Sequence, residues 1–513
     1  MPGSSIAQYF NGLDYLLALP MLLLTLFAMG ILLIDLMLPP EWKRWNAWLA
    51  LVGVCFTAKG VWQIQSWFNA QGIMGHYAFM GTLYVDRFAL YFFYLFLAGT
   101  AVAILMSARY LEIEHENHGE YYALMLFSVV GMMCMAAASD IVMLFIGLEL
   151  MAISTYVLVG FLRRDKRSNE AALKYMLLGA FSSGIFAYGL SLFYGVTATT
   201  NMQLIAQRLA MRVQQNGHHA DAILVVAMLT TSTGLLFKVA AVPFHQWAPD
   251  AYEGAPTSIT GFMSVSVKAA GWAMLLRLMI WMMSPLRPAF LPFLVFVSIA
   301  TMTGANFAAL TQTNLKRLLA YSSIAHVGYM LLGLIAGTSD SFHPDGIKGI
   351  LVYLLVYTFM NLGAFAVITS LRHRNVIGDE IDDIAGLYSR APVEAVLMLI
   401  FLLSLAGIPP LAGFWGKYFI FLSLIETGHY TLAALGVLYS VFGLYYYLRI
   451  ANAMFMREPL EKDKLSLNPA MGVALAITAF ATLAIGVFPN PMIRVINGVL
   501  GLTQISPVAH LIR

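Results

Sequence analysis

The amino-acid sequence predicts an all-α polytopic membrane protein with about fourteen transmembrane helices. Three observations support this fold class: 60% of the 513 residues are hydrophobic, only 11% are charged, and the mean hydropathy is +0.77. Soluble domains carry about 25% charged residues, so the composition excludes an ordinary soluble enzyme. The two cysteines, Cys55 and Cys134, are too few for a disulfide scaffold or a cysteine-ligated metal cluster.

A helix needs about 20 mostly apolar residues to cross a hydrocarbon core about 30 Å thick. The fourth and fifth apolar runs of this chain are separated only by Ser139 and Asp140, so one long helix is possible there; otherwise Asp140 is expected to cap the fifth helix. The twelfth run is too long for one straight helix. The fourteen runs lie near residues 14–38, 45–66, 84–107, 121–138, 141–162, 171–195, 221–242, 258–280, 288–308, 317–336, 347–371, 392–424, 430–453 and 470–489.

The distribution of Lys and Arg predicts the orientation of the chain. Fifteen of the 29 basic residues fall in odd-numbered loops, and seven, including Arg277, fall in even-numbered loops and the termini. Because cytoplasmic loops carry the excess of positive charge, we expect both termini outside the cytoplasm and the Arg163–Arg167 cluster inside it.

The other seven basic residues fall within the apolar runs. Lys59, Arg87 and Arg449 lie near run ends, where a long side chain reaches the lipid headgroups. Lys174 lies about four residues into the sixth run, where its position fits an interfacial role and a functional role equally well.

Four ionisable residues lie deep within apolar runs: Glu149, Lys238, Lys268 and Lys417. A charge at such depth costs from about 2.5 to over 10 kcal/mol unless it faces protein or water. Burial lowers the pKa of a lysine and a nearby carboxylate raises it, so a carboxylate that approaches and leaves a lysine loads and releases a proton. The four residues therefore indicate a proton relay, with structural ion pairs as the alternative.

Prolines interrupt two of the lysine-bearing runs. The seventh run reads GLLFKVAAVPFH at 234–245, and the twelfth reads SLAGIPPLAGFWGK at 404–417. Proline breaks a helix, and broken helices in corresponding positions of two halves indicate an ion site. The two runs are five apart, and a tandem copy of a five-helix unit must insert upside down. We therefore predict inverted repeats in spans 4–8 and 9–13, broken at spans 7 and 12.

Several long motifs resemble the antiporter-like subunits of respiratory complex I and of multisubunit cation/proton antiporters. They are FKVAAVPFHQWAPDAYEGAP at 237–256 and NLKRLLAYSSIAHVG at 314–328. The motifs SNEAALKYMLLGAFSSG at 168–184 and GIPPLAGFWGKYFIF at 407–421 resemble subunit N in particular. Subunit M has a glutamate where this sequence has Lys417, and subunit L continues into a long lateral helix that is not expected here.

The resemblance implies a proton-translocating membrane subunit of NADH:quinone oxidoreductase. Glu149 and Lys238 would form the modulating ion pair of the first repeat, and Lys268 would pass protons along a central hydrophilic axis. Lys417 would be the terminal lysine of the second repeat, and Lys174 a charged link toward the neighbouring subunit.

The resemblance also implies a domain division and a location. Residues 1–120 would be an N-terminal three-helix segment, 121–280 and 281–455 the first and second antiporter-like repeats, and 456–513 a C-terminal helix and tail. The chain would lie in the bacterial inner membrane, with other membrane-arm subunits and the lipid bilayer as partners and no nucleic acid.

Three further polar residues are candidates for the relay. His326 lies about ten residues into the tenth run beside Tyr321, and both fit a proton path. His245 follows the proline break and could bridge water to Lys238, although a hydrogen-bonded packing histidine fits equally well.

No redox centre is expected in this chain. The sequence has no G-x-G-x-x-G motif opening a helix after a strand, no iron–sulfur cysteine pattern and no haem motif. We expect NADH, FMN, iron–sulfur clusters and quinone in other subunits. A redox-independent cation/proton antiporter subunit and a passive structural subunit remain as alternatives.

Overall fold

The structure, a computed structural model, describes residues 12–217, 219–338, 344–372, 378–459 and 468–500. Most of these residues are helical. The helices are α1 (Gly12–Asp35), α2 (Trp45–Gln71), α3 (Arg87–Glu114), α4 (Gly119–Ala137), α5 (Ile141–Val159), α6 (Lys166–Thr197), α7 (Met202–Gln215), α8 (Ala222–Val239), α9 (Trp247–Gly254), α10 (Thr257–Phe262), α11 (Lys268–Leu276), α12 (Arg287–Thr311), α13 (Leu315–Gly337), α14 (Pro344–Ser370), α15 (Leu387–Arg390), α16 (Pro392–Ala406), α17 (Ala412–Glu426), α18 (Tyr430–Met456), α19 (Pro469–Val487) and α20 (Asn490–Leu500).

The predicted membrane architecture is confirmed. Among the described residues, thirteen helices are long and apolar enough to cross a membrane. The twelfth predicted run is a pair of 15-residue helices, α16 and α17. The fourth and fifth runs are two separate helices, and Asp140 caps α5 by accepting a hydrogen bond from the backbone N–H of Val142 (2.8 Å).

Some local elements differ from the all-helical prediction. Gly75–Ala78 (β1) and Leu83–Asp86 (β2) form a short antiparallel hairpin between α2 and α3. The helices α7 and α20 fall in segments for which no helix was predicted. The eighth predicted helix continues through Met282 and contains two π-helical segments, Met263–Val267 and Arg277–Met282, on either side of α11.

The most deeply buried helices form the centre of the molecule. The helix Thr257–Met282, which contains Lys268, is buried throughout its apolar length. The helices α13 and α14 are almost as buried, whereas less than half of the apolar windows of α1, α6, α18 and α19 is buried. The central helices therefore contact protein rather than lipid on nearly every face.

Both predicted helix breaks are present. The helix α8 ends one residue after Lys238, and Ala240 has a left-handed backbone (φ 62°). The helix α16 ends at Ala406 and is followed by Gly407, also left-handed (φ 87°). Each connecting segment contains a cis X-Pro peptide bond.

A buried ion pair fixes one end of the central helix. Arg277 donates two hydrogen bonds to the carboxylate of Asp86 (2.6 and 3.0 Å) and a third to the carbonyl of Ala136 (2.9 Å). Its guanidinium also lies 4.3 Å from the ring centroid of Trp281. Arg277 is 2% exposed and Asp86 6%. The assignment of Arg277 to a surface loop was therefore wrong, because the residue that neutralises it is 191 positions away.

We predict that Arg277→Met lowers the amount of folded protein sharply, because it leaves the Asp86 carboxylate buried without its cation. Loss of one partner of a buried pair costs about 3–5 kcal/mol. The measurement is the abundance and thermal unfolding midpoint of the protein in detergent. Asp86→Asn combined with Arg277→Met should recover part of the loss, since Asn still caps α3.

The matched control is Arg457→Met, whose ion pair with Asp382 (2.7 Å) is exposed. It should change the unfolding midpoint little, because exposed pairs contribute about 0–1 kcal/mol. Equal effects of Arg277→Met and Arg457→Met would contradict the anchoring role of Asp86.

Candidate functional site

Lys238 and Glu149 face each other without forming a direct ion pair. Lys238 lies in the last turn of α8, where the helix dipole favours a cation, and is 3% exposed. Its Nζ atom and Oε1 of Glu149 are both buried with no hydrogen-bond partner among the described residues. No ion pair joins these two described residues, so no proton passes directly between them in this conformation.

Aromatic side chains surround this pair. The Nζ atom of Lys238 lies 5.6 Å from the ring centroid of Tyr156, which contacts the ring of Tyr175 edge-on at 4.6 Å. Tyr175 in turn stacks on Trp247 at 4.5 Å. The indole N–H of Trp247 donates to the carbonyl of Phe237 (2.9 Å), which is near the open end of α8. These rings pack beside Lys238 and the open end of α8.

Lys268 contacts the central helix α13. It is 3% exposed, and its Nζ donates to the carbonyl of Ser323 (3.2 Å) and to the hydroxyl of the same residue. No carboxylate lies within ion-pair distance of Lys268 among the described residues. The lysine is therefore held by neutral acceptors only.

His326 occupies the next turn of α13, three residues beyond Ser323. Its Nε2 is 3.0 Å from the hydroxyl of Tyr447, and its Nδ1 is hydrogen-bonded to the hydroxyl of Tyr353. Tyr447 is also hydrogen-bonded to Ser322. Both ring nitrogens are thus in hydrogen bonds to hydroxyl groups, which donate or accept a proton equally well.

Lys417 lies on the other side of His326. It is 7% exposed, its Nζ donates to the carbonyl of Ala406 (2.8 Å), and the ring of Tyr329 lies 5.0 Å away. Ser323, His326 and Tyr329 follow one another at three-residue intervals on α13, and the rings of His326 and Tyr329 are 5.9 Å apart. The histidine therefore lies along α13 between the residue that contacts Lys268 and the residue that contacts Lys417.

The other predicted site residues are less enclosed. Tyr321 is half-buried on α13, five residues before His326 and therefore on a different side of the helix. His245 is half-buried beside the first break, and its Nδ1 has no hydrogen-bond partner in the described part of the chain. Lys174 is exposed on α6, where it pairs with Glu170 (2.7 Å) and Asp250 (3.0 Å). The structure brings His326 to the buried lysines and leaves Lys174 outside that group.

Sequence reasoning missed the ionic cluster around Lys174. Asp250 on α9 also pairs with Arg317 on α13 (2.7 Å), and Arg317 pairs with Glu253 (2.7 Å). Partial burial raises the pKa of Asp250, but the hydrogen bonds from Lys174 and Arg317 lower it further. The pKa of Asp250 therefore lies below its ordinary value. Asp250 and Glu253 lie within the motif at 237–256, and Arg317 lies within the motif at 314–328. Their spacing in the sequence does not reveal that these side chains contact one another.

Comparison with known proteins defines the class of this chain. Residues 138–443 match the family described as NADH:quinone oxidoreductase/Mrp antiporter, transmembrane. The fold is similar to that of a chain of the Mrp complex from Dietzia sp. DQ12-45-1b, with a TM-score of 0.81 and coverage of 98% of this chain and 99% of that one. The sequences are only 21% identical, so this likeness shows the fold alone. The chain is an antiporter-like membrane subunit.

Closer relatives identify the branch. The chain is 64% identical over 513 residues to NADH-quinone oxidoreductase subunit N 1 of Koribacter versatilis, covering 99% of this chain and 100% of that protein. It is also similar to a chain of respiratory complex I from Thermus thermophilus with bound aureothin, at 30% identity and a TM-score of 0.76, covering 93% of this chain and 98% of that one. The chain belongs to the family of subunit N of NADH-quinone oxidoreductase.

Proposed function

We propose that this chain translocates protons across the membrane as a subunit of an NADH:quinone oxidoreductase. The observation that carries the proposal is the series of buried groups from Lys268 through His326 to Lys417. Each member is buried and is hydrogen-bonded to neutral groups rather than to a carboxylate. Such lysines exchange a proton without breaking an ion pair, which is what a relay requires.

Protons would move along α13, from the end of the first repeat into the second. Lys268 passes its proton toward the hydroxyls and His326, and Lys417 receives it on the far side. The protein atoms named above do not form an unbroken line of hydrogen bonds, so water would bridge the remaining steps. Tyr321 would border this path at the start of the helix.

The first repeat would control when Lys238 is charged. Because Glu149 acts on Lys238 without contacting it, a small approach of α5 to α8 strengthens the attraction and loads a proton. Withdrawal of the carboxylate releases it. His245, just beyond the break, would receive water near Lys238, and Lys174 would link the chain to a neighbouring membrane-arm subunit.

The energy for pumping would come from other subunits of the complex. We propose that NADH, FMN, the iron–sulfur clusters and quinone are bound there and that this chain holds no cofactor. The described residues contain no group of three or more His, Cys, Asp or Glu side chains able to hold a metal ion. The chain would therefore contribute translocation, and not electron transfer, to the reaction.

Orientation and repeats remain part of the proposal. We place the chain in the bacterial inner membrane with both termini outside the cytoplasm and with inverted repeats in spans 4–8 and 9–13. The domain boundaries at residues 120, 280 and 455 follow from the same division. The charge count behind the orientation includes four residues outside the described ranges: Arg374, Lys462, Lys464 and Arg513.

The competing function is that of a subunit of a cation/proton antiporter not driven by redox chemistry. We expect the chain to migrate on a native gel of solubilised membranes with an assembly that stains for NADH oxidation. Migration in a small assembly without NADH-oxidising activity would favour the antiporter and contradict the redox-driven pump.

We predict that Glu149→Gln leaves the complex assembled but slows proton uptake into proteoliposomes at least several-fold. The substitution removes the charge that acts on Lys238 while almost preserving side-chain volume. The rate is normalised to the amount of complex. The matched control is Glu41→Gln, an exposed carboxylate between α1 and α2, which should pump at the wild-type rate. Wild-type pumping by Glu149→Gln would rule out the switching role.

We predict that Lys417→Arg slows quinone-coupled NADH oxidation nearly as much as Lys417→Ala, because arginine, with a pKa above about 12, does not release a proton. Both variants should assemble, because Lys417→Arg keeps the cation and Lys417→Ala leaves no carboxylate buried without its partner. NADH oxidation by a soluble artificial acceptor should remain normal, because that reaction bypasses the membrane arm.

The control for this substitution is Lys43→Arg, at a partly exposed lysine that pairs with Asp35 (3.1 Å). A structural cation at position 417 would give the opposite pattern: arginine would restore activity, and alanine would reduce the amount of complex rather than its turnover. Full coupled activity of Lys417→Arg would contradict the relay.

A further inference from the structure

A cavity of about 500 Å³ lies between α2, α3, α14 and α20, away from the buried lysines. Its volume falls in the range of about 300–1,000 Å³ that is usual for small-molecule sites. One end is polar and the other is apolar. The lining residues of the polar end are Gln65, Asn69, Arg87 and Arg494, and those of the apolar end include Leu95, Ala98, Leu355 and Val499.

The depth of the cavity is set by α3. Arg87 is the first residue of this helix, and Ala98 lies eleven residues further along it. At 1.5 Å per residue, the lining extends roughly 16 Å from the helix end toward the middle of the span. The cavity thus begins where a lipid headgroup would lie and continues into the region of the acyl chains.

The positive charge at the polar end has no protein counter-charge. Within the described residues, no carboxylate lies within ion-pair distance of Arg87 or Arg494. Arg87 donates only to the amide oxygen of Asn69 (3.3 Å), and its Nε atom is buried without a partner. Residues 501–513, which follow α20, contain no Asp or Glu.

The nearest carboxylate in sequence is already engaged. Asp86, next to Arg87, accepts hydrogen bonds from Arg277 on both oxygens and from the backbone N–H of Ala89 (2.8 Å). Its charge therefore stabilises Arg277 and is not available to Arg87. Arg87 and Arg494 therefore line one cavity with no carboxylate partner among the described residues, so an anion bound there would meet two positive charges.

We propose that this cavity binds an anionic phospholipid, with the phosphate between Arg87 and Arg494 and an acyl chain along the apolar wall of α3 and α14. Guanidinium groups bind phosphate through paired, charge-assisted hydrogen bonds. Tyr94 also lines the cavity, and its hydroxyl donates to Gln65 (2.9 Å), so it already has a protein partner. A neutral quinone would leave both arginines without a counter-charge.

The test uses the assembled complex in vesicles that contain phosphatidylglycerol with a photoreactive acyl chain. Cross-links should map to residues 87–98 of α3 and 494–499 of α20. For Arg87→Gln combined with Arg494→Gln, the phosphatidylglycerol fraction that gives half-maximal cross-linking should rise about ten- to thirtyfold, because each arginine contributes to anionic-lipid binding. Unlabelled phosphatidylglycerol should compete, and phosphatidylcholine or a short-chain quinone should not.

A second variant tests the cavity with both charges intact. A Cβ atom at Gly498 meets no atom within 4 Å, so Gly498→Phe fills the cavity without a backbone clash and should also abolish cross-linking. The matched control is Gly30→Phe, at an equally open position on α1. Unchanged cross-linking in the double arginine variant or in Gly498→Phe, equal competition by phosphatidylcholine, or absence of cross-links from α20 would each overturn the proposal.

Discussion

The constraint on which this structure depends is that helix ends packed against other parts of the protein leave backbone carbonyls that need a donor other than water. Cationic side chains satisfy several of them. Lys417 donates to the last residue of α16, Arg277 to the last turn of α4, and Arg449 to the carbonyl of Leu310 near the end of α12. The negative end of each helix dipole adds to this attraction. Interrupted helices and buried cations therefore stabilise each other.

The partner of each cation determines what that cation can do. A carboxylate fixes the charge, because deprotonation of Arg277 would leave Asp86 buried and unpaired. A backbone carbonyl does not fix the charge of a lysine. After the lysine loses its proton, the uncharged amine keeps N–H groups and still donates to the same oxygen. Lys268 and Lys417 have only neutral partners of this kind. Among the described residues, the same fold thus contains a cation held by a carboxylate and lysines held by neutral groups, and the proposed relay needs the second kind.

The sequence was sufficient to predict what depends on local pattern. Apolar length predicted the spans, and prolines beside Lys238 and before Lys417 predicted the breaks. The sequence did not reveal contacts between distant segments: Arg277 meets Asp86 across 191 positions, and Lys316 is buried beside Asp379. Those pairings depend on how the helices pack, which no spacing in one sequence encodes.

Asp86 shows how one residue divides the surrounding charges between these roles. Its carboxylate caps α3 and neutralises Arg277, which anchors the π-helical end of the helix that contains Lys268. That engagement leaves the adjacent Arg87 without a carboxylate partner among the described residues, at the cavity between α2, α3, α14 and α20. The position of the helix that contains Lys268 and the charge presented by Arg87 therefore have a common structural origin at the start of α3.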